Sequence, residues 1–168
     1  MHATIIIITA FRPQILRRCL EELVPQLKAG DELIAVTGSN LQEERALESD
    51  FRPLRFVVSD RMCMPYQRNL GIATSDNEVV AFIDDDALVC DGWRDSMMEL
   101  YSDATVDAVV GREILKGYEE LTTLEKPCMR WNGDMRGMQH YAGREICEVR
   151  YGQGCNMSFR RTALEKVD

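Results

Sequence analysis

Five short runs of apolar, largely β-branched residues, at 4–8, 32–36, 54–58, 78–83 and 106–110, constrain this chain more than any other feature. Several are apolar at nearly every position, which suits strands covered on both faces. Helical spacing fills the intervals. Ile15, Leu16, Cys19, Leu20, Leu23 and Leu27 form a 3.6-residue stripe after Pro13, with Pro25 expected to shorten the helix and Gly30 to close it. Pro65 opens a second stretch with Tyr66, Leu70 and Ile72. Asp91 reads as the N-cap of a third, in which Trp93, Met97, Leu100 and Tyr101 share a face. Strand and helix alternate, so the expected fold class is α/β, a mostly parallel central sheet flanked by helices. The 168 residues suit one domain with a single core. The stretch 115–150, with Trp131 and His140, keeps no clean period and reads as a substrate-side flap over the sheet edge.

Composition narrows the function classes. Hydrophobic residues at 45% and charged residues at 29% indicate an ordinary folded domain rather than a disordered one. A net charge of -8 repels phosphate backbones, so nucleic acid is excluded as a main partner, and a small anionic ligand needs a metal or a local arginine cluster. The apolar run 5–8 is too short to span a bilayer and has no cleavage site after it, so neither a transmembrane segment nor a signal peptide is expected. The six cysteines form no C-x-x-C pair, and reduced thiols in a cytoplasmic protein account for them most simply.

In a wound parallel sheet, ligands bind outside the carboxyl ends of the strands. Those ends read Thr9-Ala10-Phe11-Arg12, Thr37-Gly38-Ser39-Asn40, Ser59-Asp60-Arg61 and Asp84-Asp85-Asp86. The last is the informative one, because a buried strand runs into three consecutive carboxylates with no basic residue until Arg94. Like charges at that spacing oppose one another's ionisation, and a hard divalent cation relieves this. If the backbone stays extended, Asp84 and Asp86 point to the same side and suit Mn²⁺ or Mg²⁺ shared with a diphosphate. A solvated acidic turn that caps the next helix is the plainer reading of the same run.

Four segments carry a resemblance. Residues 4–13, followed by Leu16-Arg17-Arg18-Cys19-Leu20, resemble the opening strand and helix of family 2 glycosyltransferases. Arg68-Asn69-Leu70-Gly71-Ile72-Ala73 is similar to the helix before their metal motif, and Val80-Ala81-Phe82-Ile83-Asp84-Asp85-Asp86 to their D-x-D strand. Gly154-Cys155-Asn156-Met157-Ser158-Phe159-Arg160-Arg161-Thr162-Ala163-Leu164 is similar to their acceptor-side segment. The resemblance implies the GT-A (Rossmann-like) fold and inverting, metal-dependent transfer of a hexosyl or deoxyhexosyl group from a nucleotide-diphosphate donor. It places Thr9, Phe11, Arg12, Thr37, Arg68, Asp84 and Asp85 around the donor nucleotide and Asp86 on the metal. Trp131, Gly154 and Asn156 fall on the side of a carbohydrate or lipid-linked acceptor. Two departures matter. The aspartate that reads the base after the second strand in the family is missing from Thr37-Gly38-Ser39-Asn40. The carboxylate base that takes the acceptor proton would lie beyond Asp168, so a catalytic residue is expected to be absent.

Other readings fit less well. No G-x-G-x-x-G follows the first strand, against a dehydrogenase, and no glycine-rich phosphate loop stands there, against a nucleotidyltransferase. A receiver-type module requires acidic residues after the first strand, where threonine stands. The remaining alternative is a truncated or degenerate domain that binds nucleotide-sugar without turning it over. A partly uncovered sheet in so short a chain would favour a homo-oligomer.

Overall fold

The structure is a computed structural model and describes residues 1–38, 42–114, 128–129, 135–136, 146–149 and 152–167. The five apolar runs form strands β1 (Ala3–Thr9), β2 (Glu32–Thr37), β3 (Leu54–Val58), β4 (Val79–Asp84) and β5 (Ala108–Val110). Helices α1 (Pro13–Leu23), α2 (Gln42–Asp50), α3 (Met64–Ala73) and α4 (Trp93–Leu100) lie between them. A two-strand ribbon, β6 (Cys128–Met129) with β7 (Met135–Arg136), precedes β8 (Asn156–Arg160) and the short α5 (Arg161–Leu164).

The main sheet has six strands in the order β3-β2-β1-β4-β8-β5. β1, β2, β3 and β4 are parallel, whereas β8 runs antiparallel to both β4 and β5. The mostly parallel expectation holds, but β8 separates β5 from β4. The sequence hides this strand because its inward positions are mixed. Met157 and Phe159 pack on one face, while Ser158 on the other is buried and accepts a hydrogen bond from Tyr101 Oη at 2.9 Å.

Alternation along β1 sorts the core into two layers. Ile5 and Ile7 face Leu16, Leu20, Leu47, Met97 and Tyr101 of the α1, α2 and α4 side. Ile6 faces Val36, Val80, Phe82 and the partly buried Leu70, Ile72 and Leu164 of the α3 and α5 side. Both faces are covered, which explains the continuous apolar runs. On the α3 side the approach is close: a Cβ added to Gly71 would lie 2.7 Å from Ile6 Cγ2 and 3.3 Å from Val36 Cγ2. Glycine at that position lets the helix backbone rest directly on β1 and β2.

α1 ends at Leu23 and passes into a 3₁₀ turn, Val24–Gln26, around Pro25, as its ring and missing N–H require. α2 shows no apolar stripe because only Glu44 and Leu47 turn inward. The N-cap of α4 is Gly92 in the left-handed region (φ 77°), not Asp91, and no side chain caps that end. Arg160 and Arg161 fasten the far edge. Arg160 donates to the carbonyls of Tyr101 (2.7 Å), Asp103 (2.8 Å) and Val106 (2.7 Å), and Arg161 to Asn77 O and Ser75 Oγ. These bonds satisfy carbonyls that helix ends and the turns after them leave open. At the same, amino end of the parallel strands Arg94 forks onto buried Asp31, with Nε and Nη2 2.9 and 3.0 Å from its two oxygens. Among the described residues no helix is long and apolar enough to cross a membrane. Cys19, Cys63, Cys90, Cys147 and Cys155 are free thiols.

Candidate active site

Register brings the carboxyl end of β1 beside that of β4, with Ile8 opposite Asp84. The strand ends at Asp84, and the chain turns at once, Ala87 N bonding Asp84 O at 3.1 Å. The extended continuation that would have placed Asp84 and Asp86 on one side is therefore replaced by a tight turn. Strand parity sends Asp84 to the α3 side and Asp85 to the α1 side. Asp85 is fully buried: Thr9 Oγ1 donates to one oxygen at 2.7 Å and Arg12 Nη2 to the other at 2.5 Å. Asp86 stays 61% exposed, with Arg12 Nη1 3.6 Å from it. Asp84 is 44% exposed and has Arg68 Nη2 at 3.8 Å.

The sequence reading of three unpaired carboxylates is thus corrected, since Arg12 and Arg68 arrive from α1 and α3 and offset part of the charge. Three carboxylates against two guanidiniums leave negative charge at the mouth of the site. Burial raises the pKa of Asp84, Asp86 raises it further, and Arg68 with Arg12 only partly offset this. Asp85 is also raised, chiefly by burial, against the Thr9 hydrogen bond and the Arg12 charge. The Cys19 thiol behind them is pushed up to about 12 by burial and by all three aspartates, so it stays protonated. Cys155 reaches about 12 through burial, a hydrogen bond to Glu113 and the charge of Asp84.

Phe11 sits just outside β1 with φ 59° and 62% exposure, a left-handed backbone that a bulky residue adopts only under constraint. Arg12 follows as the N-cap of α1, its carbonyl accepting from Ile15 and Leu16. Thr37, at the end of β2, donates to Glu44 Oε2 at 2.7 Å. A carboxylate therefore does stand beside the end of β2, buried and brought from α2. A negative residue in a weakly striped helix gave no signal of this in the sequence.

At Gly154, expected on the acceptor side, the open face is filled by protein. A Cβ there would meet Arg68 Nη2 at 2.5 Å, so glycine admits the guanidinium that faces Asp84. Gly152 admits Val110 in the same way, at 2.3 Å. Asn156 accepts from Trp93 Nε1 at 2.9 Å and donates to Arg112 O at 3.2 Å, latching β8 to α4 and the end of β5. Arg61 lies 5.0 Å over the Tyr66 ring, beside Asp60. Trp131, Ser39, Asn40 and His140 lie outside the described residues. The structure therefore gathers Thr9, Phe11, Arg12, Arg68, Asp84, Asp85, Asp86 and Gly154 at one edge of the sheet, with Thr37 at the end of the neighbouring β2.

Among the described residues no group of three or more histidines, cysteines or acids is arranged to hold a metal by itself. Asp84 and Asp86 nevertheless offer hard oxygen donors, the ligand type for Mn²⁺ or Mg²⁺ held jointly by a carboxylate and substrate phosphates.

Comparison with known proteins agrees with this geometry. The family model described as glycosyl transferase family 2 matches residues 4–168. The glucosyl-dolichyl phosphate glucuronosyltransferase of Haloferax volcanii is 26% identical over 159 residues, covering 88% of this chain and 48% of that protein. The chain therefore spans about half the length of the curated relative it matches. Among solved structures, S. aureus TarS residues 1–349 in complex with UDP superposes with a TM-score of 0.71 at 13% identity, over 99% of this chain and 48% of that one. The mannosyltransferase PcManGT from Pyrobaculum calidifontis, in complex with GDP-Man and Mn²⁺, gives 0.67 at 14%, over 98% and 46%. The sheet is the GT-A fold. Since the family match runs from within β1 through α5 and takes in every element that builds the site, the chain belongs to glycosyl transferase family 2.

Proposed function

We propose that this chain binds the donor of a glycosyl transfer, a nucleoside diphosphate carrying a hexosyl or deoxyhexosyl group, together with Mn²⁺ or Mg²⁺. The sugar would pass to a hydroxyl of a carbohydrate or lipid-linked acceptor with inversion. One observation carries the reading: Asp85 is held inward by Thr9 and Arg12, which leaves Asp84 and Asp86 solvent-facing at the carboxyl end of a buried parallel strand. A site without ligand-facing carboxylates would gain nothing from fixing the middle one.

In this reading Asp86 ligates the metal, and Asp84 contacts the ribose or the sugar. When bound, the ion supplies positive charge to the departing diphosphate. Arg12, shared between Asp85 and Asp86 and 45% exposed, adds charge to the same space without a proton transfer. Thr9 acts by fixing Asp85, which in turn aims Arg12. The exposed Phe11 ring offers a wall for the nucleotide, and Thr37 lies at the β2 side of it. Arg68, 3.8 Å from Asp84, adds positive charge on the side where the diphosphate would lie. Gly154 and Asn156, with Trp131, border the acceptor side. No residue is assigned as the base that inversion requires. The glycosyltransferase relative and the neighbour holding GDP-Man and Mn²⁺ support the donor class.

Thermal melting with UDP, dTDP, GDP and CDP, each with and without Mn²⁺, tests the donor reading. A ligand at one hundred times its dissociation constant adds ~2.7 kcal/mol, a rise of roughly 5–10 °C for a domain of this size. A metal-dependent rise with one nucleotide is expected. No rise with any of them refutes the donor site.

A further inference from the structure

Gln67 is a polar residue that the fold buries and leaves unsatisfied. The residue is 3% exposed, and among the described residues its amide nitrogen has no hydrogen-bond partner. A buried donor without an acceptor is costly, and native proteins rarely keep one without a use for it. Its position is set by close packing. Gly71, one turn later on α3, rests against Ile6 and Val36, so Gln67 lies over the carboxyl end of β2 on the same helix face. There its amide nitrogen is 3.4 Å from the point where a Cβ on Gly38 would stand. That point is itself only 1.8 Å from Met62 Sδ, so the thioether lies directly on Gly38. Met62 is 62% exposed, a flexible, polarisable cover over the glycine and the amide.

Charge on the two sides of β2 differs. Glu44 meets Thr37 on the α2 side of the sheet. Gln67 stands on the α3 side, next in sequence to Arg68 and two strands, roughly 10 Å, from Asp84. This is also where the chain has no aspartate after β2. A carboxylate there accepts hydrogen bonds, whereas the orphaned nitrogen of Gln67 donates one.

We propose, on the donor-site reading above, that Gln67 reads the nucleotide base: Met62 gives way to a planar ring over Gly38, and the amide nitrogen of Gln67 donates to a ring carbonyl. Bases with a carbonyl (uracil, thymine, cytosine, guanine) are selected over adenine, which has none. Gln67 is a specificity residue and takes no part in the transfer itself.

Calorimetric titration of the full chain with UDP, dTDP, CDP, GDP and ADP, each with Mn²⁺, tests this beside Gln67→Met and Gln67→Glu. Met keeps the size and helix preference, and Glu keeps the shape; both lack the amide donor. In the wild type ADP binds most weakly. In both variants affinity for the best carbonyl-bearing nucleotide falls about fivefold to tenfold, one hydrogen bond's worth, while ADP changes less than twofold. The ligand-free melting point of Gln67→Met does not fall, because an unpaired donor has been removed. An unchanged gap between ADP and the others in both variants, or an equal loss for every nucleotide, overturns the assignment of Gln67 and leaves the donor site standing. Binding of no nucleotide by the wild type overturns the donor reading and this assignment with it.

Discussion

Two adjacent aspartates do opposite work because strand parity points them to opposite sides of one sheet. Asp85 is drawn inward and bonded through both oxygens, and Asp84 is left half-exposed with only a distant guanidinium. Its raised pKa records what this costs the empty protein. A group whose folded pKa lies above its ordinary value of 3.8 contributes stability that is complete below that value and lost as pH rises through the folded pKa. Asp84→Asn is therefore expected to melt higher than the wild type at neutral pH without ligand. The difference should shrink to nothing on acidification below the ordinary carboxylate range. A variant that melts lower at pH 7 would show that Asp84 stabilises the fold, against this account.

At the scale of elements, the question is what each connection brings to the sheet edge. Gly154, just before β8, makes room for Arg68 of α3. Gly154→Ala should displace that guanidinium, weakening metal-dependent nucleotide binding several-fold while the melting point moves little, since the clash is with the end of a flexible side chain. Equal affinity in the variant would separate Arg68 from the donor site. Five strands, three helices and the acidic strand end were legible in the sequence, because continuous apolar runs and helical stripes follow directly from burial on two faces. Helix α2 and strand β8 were not, because each buries polar residues, Glu44 and Ser158, at positions where the pattern needs apolar ones. The partners of the acidic run were hidden for a different reason. Arg12 and Arg68 reach it across 73 and 16 residues of sequence, and only the strand order brings them there. Gln67 gave no signal, since a single glutamine in a helix reads as solvated until the helix's approach to the sheet is known.

Across the whole molecule, the two ends of the sheet divide stability from function. At the amino end Asp31 accepts the Arg94 fork and the backbone N–H groups of Ala3 and Lys28. Burial works to raise its pKa, but these donors outweigh burial and hold it below the usual range. Its contribution is therefore present above the ordinary carboxylate value and lost as pH falls through the folded one. Arg94→Met leaves that carboxylate buried and uncompensated, and a loss of about 3–5 kcal/mol is expected in chemical denaturation. A loss below about 1 kcal/mol would mean the pair behaves as a surface contact. The carboxyl end carries the opposite arrangement, with net negative charge, a strained Phe11 and an orphaned Gln67 donor. Those features destabilise an empty protein and suit a bound one. The most direct test is the dissociation constant of the nucleotide found by melting, measured with and without Mn²⁺ in wild type and Asp86→Asn. Mn²⁺ is expected to tighten binding at least tenfold in the wild type and not in the variant, with both proteins equally folded. The same Mn²⁺ dependence in Asp86→Asn would contradict that expectation.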